Sequence, residues 1–197
     1  MKTLSIALTS LLLLTGCAQT PNSNDQIDNG GSAEEYPTPA IADNRVPKTC
    51  QLPELQTLVS ELAGESVETD PNPVNRQNSN QQNYQDYLDG KYLVCIYKSA
   101  TTEKAAYIFW READLTEWET AMSQLNAELA ENELPFQPFS LGLGEPAAYY
   151  LIEPEEAGGF LTAHTFVDNI SLIVFTNVAK TLEDGTRLMT AAVNQMP

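Results

Sequence analysis

Two rhythms of apolar positions run along the chain. Leu52, Leu55, Leu58, Val59 and Leu62 recur at helical spacing, which predicts an amphipathic helix over 52–63 ended by Gly64. Leu115, Trp118, Met122, Leu125 and Leu129 repeat that stripe, with Thr116 and Glu119 at capping-box spacing and Pro135 and Pro138 as stops. A last helix starts at Thr181 and buries Leu182, Leu188 and Ala192, while Gly185 weakens its first turn. Elsewhere the pattern is that of strands. Residues 91–98 (KYLVCIYK) and 105–111 (AAYIFWR) are dense in β-branched and aromatic side chains and read as a pair. Three more strands are expected at 147–153, 160–167 and 170–177, joined by turns at 154–159 and 168–169. Residues 136–141 read as an additional edge strand.

Hairpin-linked strands between helices predict an α+β domain, a mainly antiparallel sheet of five or six strands covered by three helices. The first strand is apolar on both sides, with Leu93, Cys95 and Tyr97 alternating with Tyr92, Val94 and Ile96. A sheet wetted on one face would alternate with polar residues, so both faces are expected to be covered, as in an α/β/α-like sandwich. Between Asp70 and Gln85 stand nine Asn or Gln residues and two prolines, a composition that reads as a long polar loop.

The N-terminus carries a different signal. Lys2 precedes an apolar run over 4–14 that is too short to span a bilayer, and the run ends in Leu14-Thr15-Gly16-Cys17. This motif resembles a bacterial lipobox, which implies a signal peptide over 1–16 and a diacylglycerol on Cys17. Each buried methylene adds about 0.8 kcal/mol, so two or three acyl chains make a lasting anchor where one is marginal. Residues 17–49 hold Pro21, Pro37, Pro39, Pro47 and a Gly30-Gly31 break with few apolar residues, and are expected to be a flexible tether. The globular domain is then 50–197. The expected address is the extracytoplasmic face of the cell membrane, or the outer membrane of a Gram-negative host, and the first partner is the membrane itself.

Composition narrows the function. The 197 residues, 42% of them hydrophobic, suffice for one core. Acidic side chains outnumber basic ones by 27 to 10, for a net charge of −17 and no basic cluster, which argues against a nucleic-acid partner. With Cys17 acylated, Cys50 and Cys95 remain as an even pair in an oxidising compartment, which predicts a disulfide. No nucleophile elbow, phosphate loop or zinc motif occurs, and His164 is the sole histidine. No cofactor or metal is expected; the carboxylates at 153–156 offer at most an adventitious calcium contact, and those at Glu34 and Glu35 lie in the tether. The residues nearest to a ligand site are Tyr149, Tyr150 and His164, each also readable as an ordinary sheet residue. The leading expectation is a non-catalytic module that binds a small ligand or an envelope protein. The alternative is a cell-envelope hydrolase with a carboxylate-based site.

The domain opens with Cys50-Gln51-Leu52-Pro53, carries its second cysteine in the first long strand, and closes on a helix ending Ala191-Ala192-Val193-Asn194-Gln195-Met196-Pro197. With the lipobox and the stalk, this layout resembles the small actinobacterial-type lipoproteins grouped as domain of unknown function 3558. The resemblance covers about residues 46–197 and implies a lipid-anchored extracytoplasmic domain without an established activity. Members commonly have a second cysteine pair near the C-terminal strands and helix, which this chain lacks.

Overall fold

A computed structural model of the chain describes residues 45–70, 74, 79–131, 136–142, 148–152 and 159–197. The signal peptide, Cys17, most of the tether, the 154–158 part of the expected turn and Pro135 lie outside the described residues. The elements run α1 (Pro53–Ala63), β1 (Val67–Thr69), α2 (Gln81–Leu88), β2 (Tyr92–Ser99), β3 (Ala105–Glu112), α3 (Leu115–Ala130), β4 (Gln137–Phe139), β5 (Ala148–Ile152), β6 (Leu161–Val167), β7 (Ile170–Thr176) and α4 (Leu182–Val193). All strands join one antiparallel sheet in the order β1-β2-β3-β7-β6-β5-β4. The α+β class is as expected. The counts are not: the sheet has seven strands rather than five or six, and there are four helices rather than three.

Both additional elements fall where the composition is polar. β1 exists through its partner, pairing Val67 with Ser99 and Thr69 with Tyr97, so nothing local announces it. Helix α2 is closed by hydrogen bonds between polar side chains. Asn80 Oδ1 accepts the Asn83 N–H at 2.7 Å, Gln82 Nε2 donates to Asp86 at 2.6 Å, and Gln85 Nε2 donates to Asp89 at 3.1 Å. Asp86 also pairs with Arg111 of β3 at 3.0 Å.

The ladder register sorts residues between the two faces, because residues directly opposite one another share a face. One row runs Cys95, Ile108, Val174, Ala163 and Tyr150; the adjacent row, on the other face, runs Val94, Phe109, Ile173, His164 and Tyr149. The first face meets α1 and α4. Leu55, Val59 and Ala63 from α1 and Leu188, Met189 and Ala192 from α4 form one core with Leu93, Tyr97, Ile108, Trp110 and Leu172. Trp110 Nε1 donates to the Ala192 carbonyl at 3.2 Å, which satisfies a polar atom that burial would otherwise leave unpaired. The second face meets α3, whose Trp118 ring packs on Phe166 with centroids 5.6 Å apart.

The helix ends follow local rules. Gly64 closes α1 in the left-handed region at φ 70°, and the Thr181 hydroxyl accepts the Asp184 N–H at 3.1 Å to start α4. For α3 the cap is Asp114, whose carboxylate accepts the Thr116 N–H at 2.8 Å; Thr116 lies inside the helix, not at its cap. Asp168 and Asn169, at φ 53° and 64°, make the two-residue β6–β7 turn whose twist suits a hairpin.

Cys50 and Cys95 form the expected disulfide, with Cα atoms 5.2 Å apart, which joins the start of α1 to the middle of β2. Tyr97 donates its hydroxyl to the Cys50 carbonyl at 3.2 Å beside it. Packing begins before Cys50. Val46 is buried in the core, and Arg45 pairs with Asp168 at 2.6 Å.

Candidate functional site

His164 sits in the middle of β6, every residue of which from Leu161 to Phe166 is buried. On its own strand it is flanked by Thr162 and Phe166, and across the ladder by Ile173 on β7 and Tyr149 on β5. The Phe136 ring meets the imidazole edge-on, with centroids 5.1 Å apart. His164 is only 2% exposed, and its Nδ1 has no hydrogen-bond partner among the described residues. Burial pushes the imidazole down to about 4, so near neutral pH the ring is uncharged. A general base works best with a pKa near the operating pH and needs reach to a substrate proton. This ring has neither feature.

Tyr149, Tyr150 and His164 do not converge. Tyr149 stands opposite His164 in register, and its side chain lies outside what the structure describes. Tyr150 belongs to the other face, where its ring packs edge-on against Phe139 at 5.8 Å and against the main core. Other aromatics are structural partners: Trp110 is fully buried, Phe160 stacks on Phe175 at 4.5 Å, and Tyr107 contacts Phe175 at 5.9 Å.

A further electrostatic feature is one the sequence does not show. Glu65, just past α1, accepts hydrogen bonds from Thr102 Oγ1 at 2.7 Å, Thr101 Oγ1 at 2.7 Å and Ser99 Oγ at 2.9 Å. The Lys104 ammonium lies 3.5 Å from the carboxylate and donates to the Ala63 carbonyl at the end of α1. These hydroxyls, Thr102 foremost, hold the Glu65 carboxyl at about 2. Ser99 Oγ also accepts the N–H groups of Thr101 and Thr102 at 3.0 and 3.1 Å. A carboxylate so fully solvated by fixed donors is a weak base, and a serine so engaged is a poor nucleophile. The cluster clasps the β2–β3 hairpin to the end of α1.

Comparison with known proteins adds no constraint. No family model, curated protein or solved structure matches the chain. Among the described residues no group of three or more His, Cys, Asp or Glu side chains could hold a metal ion. No helix among them is long and apolar enough to cross a membrane. The carboxylates at 34–35 and 153–156 lie outside the described residues.

Proposed function

We propose that this chain is a bacterial lipoprotein, anchored through an acylated Cys17, whose C-terminal domain is a non-catalytic binding module on the extracytoplasmic side of the envelope. The observation that carries the reading is Leu14-Thr15-Gly16-Cys17 directly after a short apolar run behind Lys2. The Cys50–Cys95 disulfide is in keeping with an oxidising compartment. The layout supports membership of the lipoproteins grouped as domain of unknown function 3558, and an acidic surface suits an envelope protein or a small ligand better than a polyanion. The binding reading is favoured over catalysis because the sole imidazole is buried and uncharged, and the most perturbed carboxylate among the described residues is spent on hairpin hydroxyls.

The test is intact-mass analysis of protein purified from membranes of the native host, paired with fractionation of a Cys17→Ala variant. The expected mature N-terminus is Cys17 carrying acyl mass, and the variant leaves the detergent phase. An unmodified N-terminus, or a variant that stays membrane-bound, overturns the anchor.

A further inference from the structure

The two sides of the sheet are held differently. On the first face α1 and α4 share one continuous core, and the disulfide staples α1 to β2. On the second face, Trp118, Met122 and Leu129 are the buried residues of α3, and no covalent link backs them. Asn126 of α3 accepts the Phe136 N–H at 3.0 Å, so α3 and the entry to β4 form one layer. That layer reaches β6 through two ring contacts, Trp118 on Phe166 and Phe136 on His164.

His164 therefore sits at the seam between layer and sheet. Among the described residues its surroundings hold no anion to meet a positive charge. Its own strand presents Thr162 and Phe166, and β7 presents Ser171, Ile173 and Phe175 on this face. β5 presents Leu151 and Tyr149 in register, and a tyrosine is uncharged at neutral and acidic pH. Phe136 comes from the β4 side. The α3 carboxylates Glu117, Glu119, Glu128 and Glu131 all occupy exposed positions. By register, Arg111 lies two strands away in the Phe166 row, itself a cation and paired with Asp86. An imidazolium here would be desolvated with no anion opposite it among the described residues.

We propose that His164 makes the layer of α3 and Phe136 an acid-sensitive latch: protonation releases this layer from the sheet while the disulfide-stapled half stays folded. The sign follows from linkage. The closed layer holds the imidazole neutral, with burial pressing its pKa from 6.5 to about 4. Closure is therefore at full strength above 6.5, and it weakens as pH falls from there towards 4. Opening relieves the charge locally, because the Phe136 and Trp118 contacts part without disturbing the α1–α4 core. It also uncovers Phe166 and Ile173. The inference does not depend on the lipid anchor.

Hydrogen exchange of the whole chain at pH 7.5 and pH 5, corrected for the intrinsic pH dependence of exchange, tests the latch. Amides of α3 and of Phe136 should exchange roughly tenfold faster or more at pH 5, while those of α1, α4 and β2 hold their protection. His164→Phe, which refills the site with an uncharged ring, should remove the pH effect; His164→Gln serves if that variant does not fold. Unchanged corrected rates, joint loss of protection in both halves, or acid loosening that persists in either variant each overturn the proposal.

Discussion

A Cβ on Gly185 would lie 2.7 Å from Cδ1 of Leu161, a side chain with no solvent exposure. The glycine that weakens α4 as a helix is thus what lets α4 approach β6. Alanine gains about 1 kcal/mol in helix propensity over glycine, but overpacking a filled core costs typically 1–3 kcal/mol. Gly185→Ala is expected to lose about 1 kcal/mol net, and Leu161→Val in the same chain should recover part of it. Urea unfolding of the parent and the two variants reads this out, and a Gly185→Ala protein more stable than the parent would count against the close approach. Glu65 offers a second residue-level test. Its carboxyl is held at about 2 in the fold, below the ordinary value of 4.5, so its stabilising contribution is complete above 4.5 and is lost as pH falls towards 2. Thr102→Val should raise the Glu65 titration midpoint as followed by carbonyl NMR. A midpoint that does not move would mean the hydroxyl is not what holds the proton off.

Among the elements, the bridge between α1 and β2 has the largest stake. It spans a sequence separation of 45 residues, for which the chain-entropy estimate is roughly 4 kcal/mol. Domains of this size are stable by about 5–15 kcal/mol, so reduction should lower the melting temperature by many degrees. Calorimetry with and without reductant checks this, and coincident transitions would deny the bridge. Helix α3 depends on its first turn. Asp114→Ala removes the acceptor for the Thr116 N–H and should cost about 1 kcal/mol by denaturant titration. The short edge strand β4 is blunted rather than inviting, since Pro138 offers no N–H and the Phe136 N–H is taken by Asn126.

At the scale of the whole molecule, charge sets the response to solvent. A net charge of −17 is set against ion pairs such as Arg45–Asp168 and Arg187–Glu61, whose side chains are largely open to water. Exposed pairs are worth about 0–1 kcal/mol each, so screening removes more repulsion than attraction. Raising ionic strength from about 0.01 M to about 0.15 M, which shortens the Debye length from ~30 to ~8 Å, should raise the melting temperature. A flat or falling dependence would show that the acidic side chains are too dispersed to repel one another.

Apolar rhythm alone determined α1, α3 and α4, because a stripe at 3.6-residue spacing is a local property, and it determined the strands β2, β3, β6 and β7 through their dense β-branched and aromatic runs. The Cys50–Cys95 bridge was expected from the sequence, and the two-residue turn at Asp168 and Asn169 was legible from residues that tolerate positive φ. Only the tertiary structure decided the rest. β1 is three residues long and exists by pairing with β2; α2 buries no side chain and is closed by polar contacts that no apolar pattern registers. Glu65 meets Ser99, Thr101 and Thr102 across more than thirty residues of sequence, and the ladder register alone sends Tyr150 to one face and His164 to the other. β1, the Glu65 cluster and the split between faces depend on which distant segments become neighbours, and periodicity in one dimension carries no record of that; α2 rests on local polar contacts that an apolar pattern does not see.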